Sequence, residues 1–118
     1  NGDVVEKFAP FPWKESMTPE VAATMREAMV GVVTDGTAAV MATPGWEVGA
    51  KTGTAQLGTK PPRSHGWMIA FAGQPGQPAQ VAVAVIVEDL PGVSAATGGS
   101  TAGPVAKAVL DKALGVSG

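Results

Sequence analysis

The chain has 118 residues, at most one domain, with a formal net charge of −2 and only 15% charged residues. This charge balance excludes a basic surface that would recruit nucleic acid, and the composition does not fit a disordered segment. The absence of cysteine excludes disulfides, thiolate nucleophiles and cysteine-based metal sites.

The first part of the chain is predicted to form a short strand and then a helix. Val4-Val5 indicates the strand, and a proline-broken connector follows as far as Trp13. Thr18-Pro19-Glu20 is typical of a helix start, with a threonine N-cap, a proline at the first helical position and an acid in the first turn. Gly36 is the predicted end of the helix. The apolar residues at helical spacing, predicted to belong to the core, are Val21, Met25, Ala28, Met29 and Val32.

Three strands are predicted next, over Trp46–Gln56, Trp67–Gly73 and Ala79–Glu88. Gln74-Pro75-Gly76-Gln77 has the proline and glycine of a type II turn, so it joins antiparallel neighbours. The run Val81–Val87 is apolar throughout, which predicts a central strand with helices on both sides. The same run is far too short to span a bilayer.

A glycine-rich loop from Asp89 to Gly103 leads to a final helix, predicted over Pro104–Leu114 and ending at Gly115. Lys107 and Asp111 are predicted to pair on its outer side. The residues predicted to pack on the sheet are Val105, Ala106, Val109, Leu110 and Ala113. The predicted fold class is therefore α/β, an antiparallel sheet with helices packed on both faces.

Lys51-Thr52-Gly53-Thr54 places a cation, two hydroxyls and a glycine at consecutive positions of the first of these three strands. Because side chains alternate along a strand, Thr52 and Thr54 project to one side and Lys51 and Gly53 to the other. A glycine inside a strand often marks a place where a ligand or another backbone approaches closely. We therefore expect the free edge of this strand to bind a peptide-like molecule that carries a carboxylate.

This motif resembles the third signature, Lys-Thr-Gly, of the penicillin-binding transpeptidases and serine β-lactamases. The flanking sequence is most similar to the monofunctional (class B) transpeptidases, and the similarity extends over nearly the whole chain. The segments that carry it are Asn1-Gly2-Asp3-Val4-Val5, Gly36-Thr37-Ala38, Ala55-Gln56, His65-Gly66-Trp67, and Gly98-Gly99 with Pro104. The resemblance implies a sheet backed by terminal helices, with an all-helical lobe across the active-site cleft.

The chain lacks the other two signatures of these proteins. No serine is followed by lysine at the third position, and Asn1 is the only asparagine, so no Ser-x-Asn is present. We therefore expect the acylated serine, its lysine base and the middle motif upstream of Asn1. Residues 1–118 are predicted to be the C-terminal part of a transpeptidase domain, with a membrane anchor also upstream.

The resemblance also implies a role for each motif residue. Lys51 would be catalytic, hydrogen-bonding the middle-motif serine and setting the local positive potential. Thr52, Gly53 and Thr54 would bind the substrate, the two hydroxyls holding the carboxylate of a D-alanyl-D-alanine peptide or of a β-lactam. The backbone N–H of Thr54 would also act in catalysis, as one oxyanion donor. No metal or cofactor is expected, because no histidine or acidic cluster has metal-ligand spacing.

Other interpretations of these residues are weaker. Gly45–Thr52 nearly matches a phosphate-binding loop, but Ala50 replaces the second glycine and Gly53 follows where a helix must begin. His65, the only histidine, could act in a Ser-His-Asp arrangement only with a serine that no motif places, so we predict a supporting role near the cleft. Glu88-Asp89 is predicted to be solvated, not a general acid pair.

The sequence thus predicts part of a peptidoglycan D,D-transpeptidase, working through an acyl-serine intermediate at the outer face of the cytoplasmic membrane. Its expected partners are the D-Ala-D-Ala stem peptide, β-lactam antibiotics and the upstream part of the same protein, with no nucleic acid. Two alternatives stay open. One is a non-catalytic binding or scaffolding module of the same fold, and the other is a β-lactamase or β-lactam sensor.

Overall fold

The structure, a computed structural model, describes residues 7, 9, 11–92 and 98–116. The strand predicted at Val4-Val5 lies outside this part of the chain. The described elements in order are helix α1 (Pro19–Asp35), a 3₁₀ turn (Ala39–Met41), strands β1 (Glu47–Gln56), β2 (Arg63–Gly73) and β3 (Val81–Pro91), a π-helical turn (Gly98–Ala102) and helix α2 (Gly103–Leu114).

Helix α1 begins and ends where the sequence predicts. The Thr18 hydroxyl accepts a hydrogen bond from the Val21 N–H at 3.4 Å, and Gly36 follows the last helical residue. The predicted core face is wrong for Val21, Met25 and Ala28, which are exposed. The reason is that, apart from half-buried Arg26, burial is confined to the second half of the helix, where Val33 is the buried residue.

The three strands form one antiparallel sheet in the order β1-β2-β3. The predicted type II turn between β2 and β3 is confirmed, since Gly76 has φ +72° and the Gln77 N–H donates to the Gln74 carbonyl at 2.9 Å. Strand β2 begins at Arg63, earlier than the predicted Trp67, because Ser64 already pairs with both neighbouring strands.

The prediction that the third strand is central does not hold among the described residues. Within them β3 lies at the edge of the sheet, and β2 is the middle strand. One face of β3 is half-buried, whereas Ala82, Ala84 and Ile86 on the other face are exposed. Among the described elements, helix α1 packs against β1 and does not cover this second face of β3.

Helix α2 covers the sheet face that carries Met68, Ala70 and Ala72, all of them buried. Its own contribution to the core comes from Ala106 and Leu110, one helical turn apart. Burial of such side chains is the main stabilising term for this layer. The predicted end at Gly115 is confirmed by a C-cap with φ 69°, and the predicted ion pair of Lys107 with Asp111 is confirmed.

The breadth of the predicted apolar face of α2 is wrong. Val105 and Val109 are 48% and 49% exposed, and Ala113 is exposed as well. The buried residues of α2 are Gly103, Ala106 and Leu110, and Leu114 packs partly buried against the same core.

Helix α1 packs against the opposite face of the sheet, beside Gly49 and Phe71. A Cβ placed on Gly49 would lie 2.3 Å from the Phe71 ring and 3.1 Å from the Met29 Cβ, so glycine permits this close packing. The Arg26 guanidinium also lies 5.5 Å from the centroid of the Phe71 ring. The predicted fold class, an antiparallel sheet with helices on both faces, is therefore confirmed.

Candidate functional site

The four motif residues lie in β1, whose only strand neighbour in the described part of the chain is β2. Within that part no strand pairs with its other edge, which we call the open edge of β1. Residues directly opposite each other in an antiparallel pair share one face of the sheet. The opposite pairs are Lys51 with Ile69, Thr52 with Met68, Gly53 with Trp67, and Thr54 with Gly66.

This register confirms the predicted alternation along the motif. Thr52 and Thr54 lie on the core face with Met68, and both are half-buried. Lys51 is exposed on the opposite face. Groups on opposite faces of a strand can meet one ligand only along its edge. A ligand that contacts both the cation and the hydroxyls must therefore lie beside the open edge of β1.

The Lys51 side chain folds against the backbone of its own strand. Its Nζ donates to the Thr52 carbonyl oxygen at 2.7 Å. An ammonium carries three N–H donors, so this contact leaves capacity to bind a further acceptor. The sequence predicts the cation but not this contact, because a flexible four-carbon stem can take many directions.

The Thr52 hydroxyl has a partner that the sequence analysis missed. Its Oγ1 lies 3.1 Å from the Oγ1 of Thr37, in the loop that follows α1. Gly99 lies beside both residues, because a Cβ placed there would be 2.9 Å from the Thr37 carbonyl oxygen and 3.5 Å from the Thr52 methyl. The only sequence signal was that Thr37 and Gly99 belong to segments quoted for the family resemblance.

Gly98 lies directly against the backbone of the motif. A Cβ placed on it would be 2.3 Å from the Gly53 carbonyl oxygen and 2.6 Å from the Trp67 carbonyl oxygen. These are backbone atoms of paired strands, so they cannot move aside as the end of a flexible side chain could. The π-helical turn therefore packs on the sheet at the point where Gly53 sits, a contact that the sequence analysis also missed.

Gly53 is held less tightly on its own side of the strand. A Cβ there would lie 3.3 Å from the Cβ of Trp67, which is the residue opposite. The Trp67 side chain is 37% exposed, on the same face as Lys51. The surface beside the cation therefore combines one positive charge with an accessible aromatic ring.

His65 lies further along β2, opposite Ala55, and is half-buried. Its Nδ1 accepts a hydrogen bond from the Asp89 N–H at 3.0 Å. The Asp89 side chain in turn forms an ion pair with Arg63, so it is not one of two free acids. The supporting role predicted for His65 near the cleft stays a prediction.

The Arg63 hydrogen bond lowers the pKa of the exposed Asp89 carboxyl below its usual value. Because the pKa is depressed in the folded state, the pair favours folding at pH values above the ordinary carboxyl pKa. This contribution is lost as the pH falls through the lowered value.

An apolar cavity beside α1 lies away from the motif. A cavity of about 400 Å³ lies between Met25 and Met29 of α1 and Phe71 of β2, and none of its lining residues belongs to 51–54. The candidate site is thus an open strand edge.

Across residues 7, 9, 11–92 and 98–116, no three histidine, aspartate or glutamate side chains gather as metal ligands, and no helix has the length and apolarity to cross a membrane.

Residues 6–111 match the profile of the penicillin binding protein transpeptidase domain. The chain is 43% identical over 105 residues to peptidoglycan D,D-transpeptidase PbpA of Mycobacterium tuberculosis, an overlap of 86% of this chain and 20% of that protein. It is 37% identical over 110 residues to the probable peptidoglycan D,D-transpeptidase PenA of Neisseria flavescens, covering 89% of this chain and 27% of that protein. The chain thus spans about a fifth to a quarter of the curated relatives that it matches.

Solved structures of penicillin-binding protein A are also similar to this chain. The crystal structure of PBPA from Mycobacterium tuberculosis superposes with a TM-score of 0.63 at 44% identity, over 82% of this chain and 21% of that one. The penicillin G acyl-enzyme complex of penicillin-binding protein A from M. tuberculosis superposes with a TM-score of 0.68 at 38% identity, over 93% of this chain and 24% of that one. A ceftriaxone acyl-enzyme complex of that protein also matches, with a TM-score of 0.62 at 38% identity, over 86% of this chain and 23% of that one.

Proposed function

The chain belongs to the penicillin-binding protein transpeptidase family, and from this membership we propose that it forms the substrate-orienting wall of a peptidoglycan D,D-transpeptidase. The observation that carries the proposal is the placement of Lys51, Thr52 and Thr54 on a strand with an open edge in the described part of the chain. Relatives that share up to 43% identity carry the name D,D-transpeptidase, which supports this reaction class.

In the proposed reaction, a serine supplied upstream attacks the penultimate carbonyl carbon of a stem peptide that ends in D-Ala-D-Ala. A new Ser Oγ–C bond forms, the peptide bond to the last alanine breaks, and the serine proton passes by way of a base to the departing amine. An amine of a neighbouring stem then attacks the ester and releases the serine. A β-lactam follows the first step only, and its opened ring stays attached to the serine.

This chain would contribute orientation and charge stabilisation to that reaction. An extended peptide can add to the open edge of β1 as a further strand, held by main-chain hydrogen bonds. The Thr52 and Thr54 hydroxyls would hold the carboxylate, each such bond contributing about 1.5–3 kcal/mol. The Thr54 N–H would serve as one oxyanion donor, and loss of such a donor costs about 2.7–4 kcal/mol in the transition state.

We further propose that residues 1–118 are the C-terminal part of the domain, with the nucleophile upstream, in a protein of the bacterial cell envelope. The relatives named peptidoglycan D,D-transpeptidase support the cell-envelope location, and two apolar surfaces support a further part of the domain packed on these residues. Val105 and Val109 on α2 are about half exposed, and Trp67 and Ile86 on the sheet are each 37% exposed. A remainder of the domain packed on these surfaces would remove them from water, which is favourable at about 25 cal/mol per Å².

Labelling with a fluorescent penicillin tests the proposal. Residues 1–118 alone are expected to form no covalent adduct, whereas the longer protein that includes the upstream part forms a stable one. An adduct on residues 1–118 alone would contradict the placement of the nucleophile. A longer protein that takes no label would favour the non-catalytic module, and rapid release of the label would favour a β-lactamase.

A further inference from the structure

Thr37 lies outside the motif, yet its hydroxyl is the partner of the Thr52 hydroxyl at 3.1 Å. A hydroxyl has one proton to donate and two lone pairs that accept. If Thr52 is to donate its proton to a ligand carboxylate, it can only accept from Thr37. The two hydroxyls would then form a chain that runs from Thr37 through Thr52 to the ligand, and such chains polarise and strengthen each bond.

The backbone around Thr37 is well anchored. The next residue, Ala38, is fully buried, and its N–H donates to the Val32 carbonyl at 3.2 Å. The Ala38 carbonyl accepts from the Met41 N–H at 2.9 Å, which closes the 3₁₀ turn. A hydroxyl on such a fixed segment can hold a neighbouring rotamer in place.

Gly99 lies beside Thr52 on the side of its methyl group. A Cβ added to Gly99 would lie 3.5 Å from the Thr52 methyl and 2.9 Å from the Thr37 carbonyl oxygen. Threonine has few χ1 rotamers to begin with. The hydrogen bond between the two hydroxyls therefore favours the rotamer that points the Thr52 hydroxyl toward Thr37.

We propose that Thr37 is a positioning residue that orients the Thr52 hydroxyl toward the ligand carboxylate and so raises the preference of the site for carboxylate-bearing ligands. The inference rests on the proposed function, because it requires Thr52 to bind that carboxylate. The Gly36-Thr37-Ala38 segment then has a role beyond its place in the family pattern.

The test compares penicillin G with its methyl ester, which lacks the anionic carboxylate, in the longer protein that carries the serine. Replacing Thr37 by valine (T37V) removes the hydroxyl and keeps the shape. We expect the second-order acylation constant for penicillin G to fall about fivefold, the size expected for loss of one hydrogen bond. The constant for the ester should stay unchanged. T37S, which restores the hydroxyl, should return the penicillin G value to within about twofold of the wild-type protein.

The double variant T37V/T52V separates orientation from general damage. If Thr37 acts through Thr52, T37V has no further effect once the Thr52 hydroxyl is absent. The matched control is T34V, which removes another exposed threonine hydroxyl, in the last turn of α1, that bonds Gly31 and Asp35 instead. It should leave both acylation constants unchanged.

An equal fall for penicillin G and its ester, or no change for either, would overturn the inference while the proposed function stands. A wild-type protein that neither compound acylates would overturn both. If T37V does not fold, T37A removes the same hydroxyl with a smaller side chain and carries the same comparison.

Discussion

Replacing Lys51 by methionine (K51M) is expected to lower the rate of acylation of the longer protein by penicillin G about a hundredfold. Hydrogen bonds to charged groups contribute about 1.5–3 kcal/mol, and 1.4 kcal/mol corresponds to a factor of ten. Methionine keeps the unbranched stem but removes the positive charge that lies exposed beside the open edge of β1. Stopped-flow or gel-based labelling at several penicillin concentrations gives the rate.

The matched control is K112M, which removes the same charge from the last turn of α2, far along the chain from the motif. It should leave the acylation rate unchanged. K51R, which keeps the charge on a different head group, should fall between K51M and the wild-type protein. If folded K51M is acylated at a rate within about threefold of the wild-type rate, Lys51 has no part in the proposed mechanism. A threefold change is smaller than the contribution of one hydrogen bond to a charged group.

Replacing Gly98 by alanine (G98A) is expected to destabilise the protein by about 3 kcal/mol, the upper end of the usual cost of overpacking. The added Cβ would lie 2.3 Å from the Gly53 carbonyl oxygen and 2.6 Å from the Trp67 carbonyl oxygen, so the two strands or the turn must move. Either movement displaces the motif, and acylation should slow with it. Urea denaturation measures the free energy of unfolding, and penicillin labelling measures the rate.

Gly31 provides the comparison for G98A. It lies exposed within α1, and a Cβ placed there meets nothing within 4 Å. G31A should therefore stabilise the protein by about 0.5–1 kcal/mol through the helix preference of alanine. Equal stability and equal labelling of G98A and wild type would show that the π-helical turn does not hold the motif strand.

Local signals in the sequence predicted most of the element boundaries. Thr18 and Pro19 determine the start of α1, and Gly76 determines the turn between β2 and β3, because each acts through its own backbone conformation or nearest hydrogen bonds. The alternation of Lys51 and Thr52 follows from strand geometry alone, which is why the register confirmed it.

Long-range packing is where the sequence analysis failed. The apolar run Val81–Val87 indicates that both faces of β3 are apolar. It does not indicate which part of the protein covers each face. The contacts of Gly98 with Gly53 and of Thr37 with Thr52 join residues far apart in the chain. Periodicity and turn patterns describe residues close together in the chain, so these contacts could be seen only in the structure.

The most direct measurement is a crystal structure of the longer protein acylated by penicillin G. We expect the penicillin carboxylate to lie beside the open edge of β1, with its oxygens about 2.5–3.0 Å from the hydroxyl oxygens of Thr52 and Thr54. A carboxylate bound elsewhere in an otherwise intact acyl-enzyme, with both hydroxyls turned away from it, would contradict the proposed function of this strand.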